Sequence, residues 1–178
     1  MSSTVDVKVE NQLVRFTCPQ PVDQDEVVEQ LGGVKSGGVV IKILERPSAT
    51  IVIDAEGRIV VHGTKKIEVA RKAAKEILLL LGKDDSGLNT ELGPIVASFN
   101  YGRDVDVQKV ISTFGASVAT MDERLGCAII EDTRHDLTLN IWPNGRAVAF
   151  EARHARMVAM SAVHWKSKLE ENNLISNA

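Results

Sequence analysis

The chain repeats itself, and that repeat constrains its fold more than any other feature. Residues 38–57 and 126–145 each begin and end on glycine, and an offset of 88 residues lays one segment on the other. The same offset carries Gly57-Arg58-Ile59-Val60-Val61 onto Gly145-Arg146-Ala147-Val148-Ala149. It also carries Ile67, Ala70, Ala74, Ile77 and Leu81 onto Ala155, Val158, Ala162, Trp165 and Leu169, apolar positions at the spacing of a helix with one buried face. Upstream the offset falls to 83: Val22-Asp23 match Val105-Asp106, Val27-Val28 match Val110-Ile111, and Leu31-Gly32 match Phe114-Gly115. The second copy therefore carries five extra residues between Gly115 and Gly126, where the first has only Gly33-Val34-Lys35-Ser36-Gly37.

Each copy must then build the same elements in the same order. The pattern predicts a strand near 7–16 or 93–101 and a helix near 23–31 or 105–114. Strands near 38–45, 49–54 and 58–63 follow, each with its counterpart, and a long helix closes each half. Two helices per repeat interleaved with strands imply an α+β class, with helices on one face of an antiparallel sheet and the other face free. The polar segment Lys83-Asp84-Asp85-Ser86-Gly87 reads as the linker, giving repeats 1–86 and 87–178 that together form one pseudo-symmetric domain. At 178 residues the two halves can share a core.

Composition narrows the function. Hydrophobic residues at 44% and charged residues at 25% suit a soluble globular chain, and no apolar run is long enough to span a bilayer. The opening Met1-Ser2-Ser3-Thr4-Val5-Asp6 has no basic segment followed by an apolar one, so a cytoplasmic or nucleoid-associated protein is expected. Cys18 and Cys127 stand far apart and outside any Cys-x-x-Cys pair, which argues for structural thiols rather than disulfides or zinc ligands. His62, His135, His154 and His164 are scattered, and no phosphate loop, dinucleotide fingerprint or His-Glu-x-x-His occurs. A binder without cofactor or metal, rather than an enzyme, is expected. The net charge of −3 leaves nucleic acid open as a partner, because a local basic patch can act within an acidic whole.

Val9-Glu10-Asn11, Gly38-Val39-Val40-Ile41-Lys42-Ile43, Glu45-Arg46-Pro47 and Gly57-Arg58-Ile59-Val60-Val61-His62-Gly63 resemble first-repeat motifs of TATA-binding proteins. Ile95-Val96-Ala97-Ser98 resembles the start of their second repeat. The resemblance covers nearly the whole chain and implies a saddle: one curved antiparallel sheet with helices on its convex face. In that family the concave face enters the minor groove of A·T-rich DNA, apolar wedges kink the duplex, and transcription partners bind elsewhere. Specificity there comes from groove shape and deformability, with a few polar contacts to base edges.

Carried over residue by residue, the resemblance implies a base-reading amide at Asn11, whose second-repeat counterpart is Pro94. It implies an apolar floor of Leu13, Val40, Val52, Val60, Val96 and Val148. His62 and Phe150 stand at small-residue positions on the same face. The four wedge positions fall on Ser36, Asp54, Arg124 and Trp142, of which only Trp142 is aromatic, and Asp54 would repel phosphate. Phosphate contacts fall on Lys42, Arg58, Lys65, Arg146 and Arg153, while a basic position of the family is replaced by Ile130. DNA contact is therefore expected mainly from the second repeat. The alternative is a module of the same fold that holds a protein partner or a second copy of itself on its sheet.

Overall fold

The computed structural model describes residues 5–177. Its elements run β1 (Lys8–Thr17), α1 (Gln24–Leu31), β2 (Val34–Ser36), β3 (Val39–Glu45), β4 (Ser48–Ile53), β5 (Ile59–His62), α2 (Ile67–Leu80), then β6 (Asn89–Asn100) and α3 (Val107–Phe114). They continue β7 (Ala119–Asp122), β8 (Cys127–Asp132), β9 (Leu137–Ile141), β10 (Arg146–Ala152) and α4 (Ala155–Glu171). Both offsets survive as structure. Helix α3 starts at 107, 83 residues after α1 at 24, and α4 starts at 155, 88 residues after α2 at 67.

The chain forms two compact units: residues 11–93, the first-repeat unit, and residues 1–10 with 94–178, the second-repeat unit. In the first, antiparallel pairing runs β2-β3-β4-β5-β1. In the second it runs β7-β8-β9-β10-β6.

Local sequence sets the repeated boundaries. Asp23 caps α1 by accepting from the Asp25 amide at 2.8 Å, and Asp106, its counterpart, caps α3 by accepting from Lys109 at 3.1 Å. Both helices end on a glycine at positive φ, Gly32 at 72° and Gly115 at 88°. The turn glycines Gly57 and Gly145 are close-approach positions. A Cβ on Gly57 would lie 2.5 Å from Pro21 Cβ, and one on Gly145 would lie 2.3 Å from the Arg103 carbonyl oxygen.

Each unit buries its own apolar cluster between its helices and one face of its sheet. In the first, Val14, Phe16, Ile51, Ile53, Ile59 and Val61 meet Ala70, Ala74 and Ile77 of α2. In the second, Ala97, Phe99, Ile130, Leu139, Ile141 and Ala149 meet Val158, Ala162 and Leu169 of α4.

Strands β2 and β7 lie where the sequence pattern indicated only loops. Ser36 pairs with Val39 across Gly37-Gly38, whose φ values of 54° and 88° make a two-residue primed turn. Asp122 pairs with Cys127 across four residues, 123–126. The five extra residues of the second copy are therefore distributed. Two precede β7, one lengthens the strand and two widen the turn.

Candidate functional site

In each unit the sheet face opposite the helices is open, and strand alternation decides which side chains reach it. In the first-repeat unit, Leu13 alternates with buried Val14, while Val52 pairs with Val60 and Ile41, and Thr50 pairs with His62 and Ile43. The open face is thus an apolar floor of Leu13, Ile41, Ile43, Val52 and Val60 with Thr50 and His62 among it. Burial holds the His62 imidazole below its ordinary pKa, so it stands there neutral at neutral pH. Asn11 accepts the Gly63 amide hydrogen through Oδ1 at 2.8 Å, which leaves its NH2 group as a free-standing donor type.

Val40 is a correction. It is fully buried opposite Ile53, on the helix-covered face. Lys42, opposite buried Ile51, shares that face and does not project from the open one. Ile41 and Ile43 stand on the open face instead, Ile43 at 69% exposure. The reason is that β3 is apolar on both faces, so its period of two is not visible in the sequence.

Arg58 is also committed elsewhere. Its Nε lies 2.6 Å from Asp54 Oδ2 and its guanidinium also pairs with Glu56. Asp54 accepts from the Glu56 and Arg58 amides at 3.0 and 2.9 Å, so it organises the β4–β5 turn rather than facing a ligand unpaired. Burial would raise its pKa, but these hydrogen bonds and the Arg58 charge outweigh that and hold it below the usual carboxylate range. Lys65 is exposed in the segment between β5 and α2, and Ser36 is exposed at the primed turn.

In the second-repeat unit the open face carries Val96 and Ser98 of β6, Val148 and Phe150 of β10, Thr138 and Asn140 of β9, and Ile129 of β8. Val148 pairs with Ser98 and Asn140, Asn140 with Ile129, and Phe150 with Thr138. Trp142 continues the alternation past β9, and its indole Nε1 donates to the Leu125 carbonyl at 3.0 Å, tying it to the β7–β8 turn that carries exposed Arg124. Trp142, Asn144, Arg146 and Val148 line one cleft of about 330 Å³. The structure thus brings Arg124, Trp142, Arg146 and Val148 into one neighbourhood. Arg153 lies apart, after β10, paired with Asp136 at 2.9 Å. Ile130 is fully buried on the helix-covered face, so that position presents nothing to the open face. Sequence reasoning missed Ser98, Thr138 and Asn140, whose polar side chains became recognisable only through strand register.

Charge on the open faces is balanced rather than basic. Arg15 pairs with Glu91 in the first-repeat unit. In the second, Glu10 accepts from Ser98 at 2.7 Å and Glu131 accepts from Thr138 at 3.1 Å. Arg124 and Arg146 make no ion pair among the described residues.

Cys127 is fully buried, and burial, then the Asp122 charge, push its thiol pKa up, away from the reactive thiolate. Among the described residues no group of three or more His, Cys, Asp or Glu is placed to hold a metal ion. No helix among them is long and apolar enough to cross a membrane.

No family model matches the chain. Over 181 residues it is 25% identical to the TATA-box-binding protein of Methanothermobacter thermautotrophicus, spanning 96% of this chain and 98% of that protein. The structure superposes on Methanococcus jannaschii TBP with a TM-score of 0.77, covering 93% of this chain and 98% of that one. Over nearly its whole length the chain is thus similar, at a divergent level, to TATA-box-binding protein. At 16% identity the structural likeness speaks for the fold alone: the α+β, two-repeat TATA-binding-protein fold. The open face has an apolar floor in both units, while aromatic and unpaired basic side chains gather in the second.

Proposed function

We propose that the chain binds duplex DNA through its helix-free sheet faces, accepting an A·T-rich minor groove, and serves transcription initiation. The second repeat makes the stronger contact. The carrying observation is the Trp142 cleft: an indole on the open face, beside unpaired Arg146 and above Val148, next to the turn bearing Arg124. An aromatic ring there has a face to stack on or wedge against a base step, and the two guanidiniums reach for phosphate. Asn11, with its amide donors, suits the acceptors that A·T pairs show in the minor groove. Likeness to a protein named for binding the TATA box supports the same reading.

The test is fluorescence anisotropy of labelled duplexes titrated with the chain at low salt. Saturable binding to A·T-rich duplex is expected, weakened roughly ten- to a hundredfold by Trp142→Ala, the size of one lost base–aromatic stack. Because most basic residues on these faces are already paired, log K against log salt should fall with a shallow slope, about −2 to −4. Absence of binding to any duplex at low salt overturns the proposal. Light scattering that found a stable homodimer indifferent to duplex would point to self-association through the sheet instead.

A further inference from the structure

A second cleft, of about 490 Å³, opens beside α4 in the second-repeat unit and has no part in the open sheet face. Its α4 wall is Arg156, Ala159, Met160, Val163 and His164, a three-and-four spacing that puts them on one face of the helix. The turn between β8 and β9 supplies Arg134 and His135. Three features make this a built site. First, His135 is only 5% exposed, and its orientation is locked: Nδ1 lies 2.8 Å from Asp132 Oδ2 and its backbone amide donates to Asp132 Oδ1 at 3.0 Å.

Asp132 in turn accepts from Ser161 Oγ at 2.6 Å and Trp165 Nε1 at 2.9 Å. Burial would raise its pKa, but these donors and those of His135 keep it below the usual range, so it is an ionised acceptor. The Nδ1 of His135 therefore carries the hydrogen, and the ring is held as a fixed wall of the cleft. Second, Arg134 and Arg156 are exposed and make no ion pair among the described residues, while the neighbouring Asp136 is held by Arg153. Third, Met160 is 51% exposed, so apolar surface lies open beside these cations.

We infer that this cleft is a ligand site for a small organic anion: a carboxylate or phosphate monoester carried on an apolar body. Two unpaired guanidiniums reject a metal cation, and a wholly apolar ligand would leave them unanswered. The volume falls within the range of small-molecule sites. His164 fits the same account. Burial first, then the charges of Arg134 and Lys168, hold its pKa low against the opposing pull of Asp132, and a bound anion would move it back up.

The full chain is titrated with octanoate, octyl phosphate and, as neutral control, octanol, following the methyl resonances of Ala159, Met160 and Val163 and the His164 imidazole by NMR. Expected are saturable shifts confined to the cleft, at least tenfold weaker binding of octanol, and a rise in the His164 titration midpoint when the anion is bound. Tighter octanoate assigns a carboxylate ligand, and tighter octyl phosphate a phosphate monoester. The double variant Arg134→Ala/Arg156→Ala changes only exposed side chains and should keep the fold while weakening the anions at least tenfold. No saturable shift at millimolar anion, octanol as tight as the anions, or an unaffected double variant would overturn the inference.

Discussion

The two units run the same chain path with different interiors. In the second-repeat unit, Asp132, Ser161 and Trp165 form a buried hydrogen-bonded cluster. The positions 88 residues earlier are Leu44, Ala73 and Ile77, all buried in the apolar core of the first-repeat unit. His135 and His164 likewise stand where the first repeat has Pro47 and Glu76. One backbone thus tolerates either a purely apolar core or a satisfied polar network at the same place, as close packing and complete hydrogen bonding both allow. The open faces differ in parallel. The first repeat ends β4 in an Asp54–Arg58 pair that closes a turn, whereas the second ends β9 in Trp142, anchored to the neighbouring turn.

This contrast has measurable edges. The largest effect is expected at Asp132. Asp132→Leu alone strands the Ser161, Trp165 and His135 donors in the core and should cost roughly 3–5 kcal/mol in urea denaturation. Installing the first-repeat residues at all three positions, Asp132→Leu with Ser161→Ala and Trp165→Ile, should recover part of that loss, since only the His135 donors then stay unanswered. A triple variant as unstable as the single one would show that the two interiors are not interchangeable.

The acid limb follows from the same carboxylate. Its folded pKa lies below the ordinary value of about 4, so its stabilising contribution is complete above that value and disappears as pH falls through the folded pKa. The triple variant should therefore lose less stability than the parent as pH falls below about 4.

Next in size is Asp54→Ala, which removes a turn acceptor and the Arg58 partner and should cost about 1–2 kcal/mol. Adding Glu56→Ala, which removes the second partner, frees Arg58, so duplex affinity should rise while stability falls. Equal or weaker affinity would mean that Arg58 has no access to phosphate from the first-repeat face. Smallest is Gly38→Ala, at about 1 kcal/mol by thermal unfolding, because its φ of 88° suits only glycine well. Gly37→Asn, at a φ of 54° that asparagine tolerates, should stay near the parent.

Much of the fold was legible because its signals are local. Asp23 and Asp106 announce helix starts, Gly32 and Gly115 announce helix ends, and the two offsets tie the copies together. What escaped depended on partners distant in sequence. Strand β2 has three residues, too few for an alternation to register, and β3 is apolar on both faces, so Val40 and Ile41 exchange places with respect to the sheet. On the candidate site, Trp142, Arg124, Arg146 and Val148 were legible as residue types, and the structure adds their proximity. Asp132 carried no sequence signal of burial, because its donors come from positions 135, 161 and 165.

The way residues are shared between the units bears on how this chain can be divided. Val5, Val7 and Val9 pack against the core of the second-repeat unit, and Glu10 there accepts from Ser98. Conversely, Thr90 and Glu91 engage Arg71 and Arg15 of the first-repeat unit. A cut at the polar linker after Ser86 therefore strips each fragment of a strip of chain that its own core or surface requires. Two such fragments, expressed apart, should be poor folders, and co-expression should rescue both through reassembly.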